Sequence, residues 1–190
     1  FEDSIPLVFI DKIGYIRRDQ LERNLDWVDR WKVLIPKAGD GHGRVPAFVL
    51  GEPVALAPGS ACTQSYLVAG VFESKQETEN YARFLTTKFL RFLVLQRKIS
   101  QDLTPDRFAF VPWLDFTRRW SDEELYEQFN LSEDEIAYIE RVIAPRDLTL
   151  SLDSPIPETH LPGGRKFRTG EVPADEAGDP GDEPGLWCAR

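Results

Sequence analysis

The stretch from Ser74 to Ile99, "SKQETENYARFLTTKFLRFLVLQRKI", constrains the fold more than any other. Ser74 and Glu77 have the spacing of a capping box, in which a hydroxyl and a carboxylate satisfy the first free backbone N–H groups of a helix. Tyr81, Phe84, Leu85, Phe89, Phe92 and Leu93 then recur at helical intervals. The spacing predicts a long central helix over about residues 74–99, with Thr86-Thr87 as the place for a bend. Its longest uninterrupted apolar run, Phe92 to Leu95, is far short of the roughly 20 residues that cross a bilayer. A helix so apolar on most of its circumference has to be packed inside a domain. A chain that is 42% hydrophobic has the material to cover it.

The flanks supply the other layers. "IPLVFI" (5–10) and "KVLI" (32–35) are short runs rich in β-branched residues and read as strands. Leu21, Leu25 and Val28 fall at helical spacing between them, which predicts one helix or two short ones. "PKAGDGHGRVP" is a loop by its Gly and Pro. "VALAPGSACTQSYLVAGVF" reads as strand, turn, strand, with Pro58-Gly59 turning. "DRFAFVPWLDF" reads as a strand stopped by Pro112. Ser121 with Glu124, and Ser132 with Glu135, open two short helices. Asn130 suits the left-handed residue that ends the first, and Ile136, Ile139, Val142 and Ile143 form the buried stripe of the second. The expected class is α/β in the α+β sense: a mixed small sheet with a long central helix and a C-terminal helical hairpin. The domain is expected to span residues 1–146. Residues 147–190, dense in Pro, Gly and acid with no periodic apolar face, form an acidic tail that cannot bury enough to offset its ordering entropy. With no Met and a strand-like start, "FEDSIPLVFI", the chain is expected to be a piece of a longer protein.

Several function classes lose support at this stage. Cys62 and Cys188 lie far apart with no companion ligand at metal spacing, as expected of reduced thiols in a cytoplasmic protein. His42 and His160 are isolated as well, and no Ser/His/Asp or Cys/His set stands out. "GDGHG" lacks the Lys-Ser/Thr of a phosphate-binding loop. Glu73-Ser74-Lys75 matches half of a Glu-x-Lys nuclease motif, but Ser74 as a helix cap accounts for the same letters.

The cations are more informative. The net charge of -9 is unevenly placed. Residues 1–119 hold 17 Lys/Arg and 15 Asp/Glu, a net of +2, whereas residues 120–146 carry -6 and residues 147–190 carry -5. A polyanion responds to the local field, so the acidic total does not exclude nucleic acid. At 100° per residue, Lys88, Arg91 and Lys98 fall within a sector of about 80° on the long helix, which predicts one narrow basic edge. Arg17, Arg18, Lys32, Lys37 and Arg44 form a second group in and beside a loop. Arg118 and Arg119 lie between Trp113 and Trp120, and Thr63, Gln64 and Ser65 supply polar groups suited to bases or phosphates.

The linear order adds a further reading. "WKVLIPKAGDG", then "PGSACTQSYLVAGVFESKQETENYARFLTTKFLRFLVLQRKISQD", then "FAFVPWLDFTRRWSDEELYEQFNLSEDEIAYIERVI" resembles the C-terminal region of bacterial restriction–modification adenine methyltransferases. These are the type II enzymes that join cleavage and N6-adenine methylation in one chain. The resemblance covers about residues 10–145. The family's Asn-Pro-Pro-aromatic motif and glycine-rich S-adenosylmethionine loop are absent from this sequence, as is its cleavage motif. The resemblance therefore implies the noncatalytic part downstream of the catalytic domains, a target-recognition region for double-stranded DNA. It implies no cofactor in this part, and S-adenosylmethionine and Mg2+ in the parent enzyme. Its partners would be DNA and the upstream methyltransferase and nuclease domains, with no membrane. Lys32, Lys37 and Arg44 are the expected loop contacts, Lys88, Arg91, Lys98 and Arg118 the remaining cationic contacts, and Gln64 the reader of an adenine edge. The alternative is a protein-interaction module that docks the methylase to its nuclease, and a third is a nuclease in its own right using Glu73.

Overall fold

In the computed structural model, which describes residues 4–39, 45–97 and 102–146, the strand Trp31–Pro36 (β3) is buried on both faces. Side chains alternate across a strand, so a two-sided strand needs a partner layer on each side. Val33 and Ile35 face the helices, among Phe84, Leu85, Leu90 and Leu103. Leu34 faces the other way, among Val8, Val54, Leu56, Cys62 and Tyr66. The result is a three-layer stack of sheet, sheet and helices, of the α+β class.

β3 is the middle of an antiparallel sheet, between Val54–Leu56 (β4) and Tyr66–Phe72 (β6). A register shift after Val33 leaves Ala69 bulged on β6. Its carbonyl accepts a hydrogen bond from the Tyr81 hydroxyl at 3.0 Å. Gly70 permits that approach, because a Cβ there would lie 2.7 Å from the Phe72 ring and 2.9 Å from the Tyr81 ring. The second sheet is mixed. Ser4–Val8 (β1) pairs antiparallel with Ile13–Arg17 (β2) and parallel with Ala61–Cys62 (β5). β2 was not evident in the sequence. Of the one helix or two short ones expected before β3, the chain forms two short pieces, a 3-10 turn at Arg18–Gln20 and a single turn at Leu25–Val28 (α1).

The long central helix is divided. Lys75–Phe84 (α2) ends, and Lys88–Leu95 (α3) begins, around the Thr86-Thr87 pair. Both threonine hydroxyls donate back to carbonyls of the preceding turn, Thr86 to Arg83 and Thr87 to Phe84, each at 2.7 Å. The Thr87 hydroxyl also accepts from the Leu90 N–H and so caps α3. Tandem hydroxyls that compete with the backbone ladder break the helix where an apolar pattern alone runs on. Ser74 caps α2, but the Glu77 carboxylate accepts from the Ser74 hydroxyl, and only half of the expected box forms.

"DRFAFVPWLDF" is not a strand. Pro105–Phe108 is a 3-10 helix with Pro105 in its first turn, followed by turns. Phe108, Val111 and Leu114 pack on the core at a spacing of three, while Phe110 and Trp113 point outward.

Asp122–Gln128 (α4) and Glu133–Val142 (α5) form the expected hairpin over α3. Asn130, at φ 52°, makes the turn. The Leu131 N–H reaches the Tyr126 carbonyl and the Asn130 N–H the Glu127 carbonyl, the paired bonds of a Schellman motif. Both capping boxes are complete. The Ser121 backbone N–H, then Arg118, hold the Glu124 carboxyl below its ordinary value of 4.5, and the Ser132 backbone and hydroxyl do the same for Glu135. A depressed carboxyl contributes its stability fully above the unfolded value and loses it as pH falls through the folded one. Glu124→Gln with Glu135→Gln should therefore flatten the acid limb of the stability curve. Thermal unfolding between about pH 3 and pH 7 checks this, and a limb parallel to wild type would contradict it.

Candidate nucleic-acid interface

The predicted contacts separate into three groups. The first is buried. Arg91 is 0% exposed. Its Nε donates to the Thr86 and Thr87 carbonyls at 3.0 and 3.2 Å, and its Nη1 to the Phe48 carbonyl at 3.4 Å. Burial, with Arg146 nearby, pushes the guanidinium down to about 10, still cationic at neutral pH. Lys32 is 3% exposed. Its ammonium donates to the Ser60 carbonyl at 3.1 Å, the Ser60 hydroxyl at 3.3 Å and the Val28 carbonyl at 3.4 Å. Neither side chain can reach a phosphate outside the domain. The basic edge predicted on the helix is in this respect corrected, because the Thr86 carbonyl at the α2–α3 break, with the Thr87 and Phe48 carbonyls, draws Arg91 inward.

Lys88 is held beside them. Its ammonium pairs with Glu140 of α5, which also accepts from the Tyr126 hydroxyl at 2.9 Å. Partial burial works against ionisation of Glu140, but the hydrogen bonds from Lys88 and Tyr126 outweigh it and lower the carboxyl. The Asp122 carboxylate accepts from the Lys88 and Phe89 N–H groups at 3.0 and 2.9 Å and completes the cap of α3. Burial raises its carboxyl, opposed by those two N–H groups. Lys88 thus belongs to a network that fastens the hairpin to α3.

The second group, Arg44 and Lys98, lies outside the described residues. The third is on the surface, at two ends of the antiparallel sheet. Lys37 and Gln64 share one end. The Lys37 N–H bonds to the Ser65 carbonyl at 2.9 Å, extending the β3–β6 ladder past Pro36. Gln64 is exposed in the turn Thr63–Gln64–Ser65–Tyr66, closed by the Tyr66 N–H on the Thr63 carbonyl at 3.1 Å. The Thr63 N–H is held by the Val8 carbonyl of β1. One turn is therefore tied to both sheets, and that fixes the base of the Gln64 side chain. Arg118 follows Thr117, whose carbonyl accepts from Gln76 in the first turn of α2, beyond the end of β6 where Phe72 pairs with Trp31 at the other end of β3. Its guanidinium stacks 3.6 Å from the Trp120 ring and donates to Glu124 at 2.8 Å.

The sequence sets Arg118 and Arg119 between Trp113 and Trp120, a pattern suited to base and phosphate contact, but Trp113 is not among the expected contacts. It is 68% exposed. Its indole lies parallel to Phe72 at 6.0 Å and edge-on to Phe116 at 5.2 Å. Spacing alone does not place it outside, because Phe110, Trp113 and Phe116 share one phase and Phe116 is buried.

The residues of the nuclease half-motif have structural roles. Glu73 pairs with Arg30 at 2.5 Å, Ser74 caps α2, and Lys75 lies 4.0 Å from Glu79. Among the described residues there is no cluster of three or more His, Cys, Asp or Glu able to hold a metal ion, and no helix long and apolar enough to cross a membrane. Comparison with protein-family models, curated proteins and solved structures finds no match to this chain.

Proposed function

We propose that this chain is a noncatalytic DNA target-recognition module of a restriction–modification enzyme whose other domains carry N6-adenine methylation and cleavage. The observation that carries the reading is the juxtaposition of Lys37, just past the end of β3, with Gln64, on a turn braced by both sheets. A cation beside a rigidly mounted carboxamide is what positions a protein on a phosphate while it reads a base edge. The ordered resemblance along residues 10–145 supports the same reading. The module would hold double-stranded DNA for the upstream methyltransferase and nuclease domains, which would bring S-adenosylmethionine and Mg2+, in the cytoplasm.

The two residues have separable effects. Lys37→Ala should lower the slope of log affinity against log salt by about 0.9 and weaken all sequences alike. Gln64→Ala should leave the slope unchanged and cost about 1–3 kcal/mol of discrimination at one base pair. Duplex titrations at several salt concentrations read both effects. Unchanged slope and unchanged discrimination in the two variants would sink the assignment.

A second reading is a module that docks the methylase to its nuclease. The helical hairpin favours it, because residues 120–146 carry -6 while Phe129 and Tyr138 stand exposed. An acidic face repels DNA and suits a basic protein surface.

A further inference from the structure

We infer that Trp113 is a stacking platform for one unpaired nucleobase, with Arg119 holding the phosphate of the same nucleotide. The inference rests on the DNA-recognition reading and assigns it a second contact, remote from Lys37 and Gln64.

The platform is rigid. Phe72 backs the indole, Phe116 meets its edge, and Tyr81 lies at 5.5 Å. Those three rings are buried in the helical core, and they leave the indole 68% exposed. A large aromatic ring costs free energy to leave in water, and one held immobile loses little entropy when another ring covers it. Bases stack on such rings whatever their sequence, since each has a π face.

A cation in the same segment, Arg119, favours a nucleotide over a neutral ring. Two of the carboxylates near the platform are paired with cations, Glu73 with Arg30 and Glu124 with Arg118, while Asp115 keeps its charge on the Thr117 N–H and hydroxyl. Arg118 is committed to Glu124 and to the Trp120 ring. The Arg119 side chain is exposed and has no hydrogen bond or ion pair among the described residues. It stands next to Trp120, whose indole N–H is fixed on the Asp115 carbonyl at 2.9 Å. An exposed guanidinium and an exposed, braced indole on the one segment 113–120, drawn together by the Trp120 bond to Asp115, match the phosphate and base of one unstacked nucleotide. Such a nucleotide arises when an enzyme extrudes a base for chemistry.

The test compares two duplexes, one with a single bulged thymidine and one with an abasic residue at the same place, both bound by the 190-residue chain. Wild type should prefer the bulged base by roughly 5- to 150-fold, the range expected of one stacked base. Trp113→Ala should abolish the preference, Trp113→Phe should keep part of it, and Arg119→Ala should keep it while lowering the salt slope by about 0.9. Trp113→Phe retains a ring on Phe72, so the comparison survives if the alanine variant folds poorly. Salt-dependent duplex binding with no preference in wild type, or an undiminished preference in a folded Trp113→Ala, overturns the platform and leaves the recognition reading standing. No salt-dependent binding to either duplex overturns both. Loss of binding to a protein segment on Trp113→Ala, with DNA binding intact, would assign the surface to a protein partner and also overturn the inference.

Discussion

Arg91→Ala should lower the unfolding free energy by about 3–5 kcal/mol, close to the whole stability of a marginal domain. Three effects add. The substitution removes a large side chain that is 0% exposed, and the cavity cannot fill from solvent. It strips a charged donor from the Thr86 carbonyl at the helix break and a second donor from the Thr87 carbonyl, which keeps the Arg91 backbone N–H at 3.2 Å. It also frees the Phe48 carbonyl, which accepts from the Leu50 N–H at 2.8 Å across a tight turn centred on Val49. Val49 sits at φ 67°, a costly conformation for a β-branched residue, and Arg91 is one of the groups that holds it. Arg91→Met should cost less, because it keeps the volume and removes the buried Nη2, which has no partner. Arg91→Lys is the sharper comparison. A phosphate contact would tolerate it, whereas a fork spanning three carbonyls cannot be rebuilt by an ammonium. Denaturant unfolding of the three variants gives the order, and an Arg91→Ala chain as stable as wild type would show that the guanidinium is not structural.

Lys32→Ala should cost about 2–4 kcal/mol. The ammonium joins the end of α1 to the turn before β5 through Val28 and Ser60. Its aliphatic stem fills space on the face of β3 that packs against the β2–β1–β5 sheet, next to Leu34 but one residue out of phase in direction from Val33 and Ile35. Loss of the ammonium leaves the Ser60 carbonyl without this donor in a buried place, and loss of the stem adds a cavity. Lys32→Met restores the stem alone and should recover about half of the loss. The folded Lys32→Met chain should bind DNA with the salt slope of wild type. A reduced slope would restore Lys32 to the interface.

The capped helices were legible because their signals are local. Ser121 with Glu124, Ser132 with Glu135 and Asn130 act within one turn of the chain, and each is found doing so. β3 and β6 were legible from their apolar runs. What the sequence hid depends on contacts distant along the chain. β5 is two residues long and exists because β1 lies alongside it. At the Thr86-Thr87 break the Arg91 guanidinium supplies the Thr86 carbonyl with a donor. The helical wheel placed Lys88 and Arg91 correctly on one side of α3 but could not tell solvent from another layer. The hairpin and residue 48 cover that side. Lys37, Gln64 and Arg118 remain on the surface, and only Lys37 and Gln64 lie together.

The slope of log affinity against log salt for a duplex target, measured for wild type beside Lys37→Ala, tests the central claim most directly. DNA recognition through the Lys37–Gln64 end predicts binding that weakens steeply with salt and a slope smaller by about 0.9 in the variant. Binding that is indifferent to salt, or identical slopes in the two chains, would contradict it.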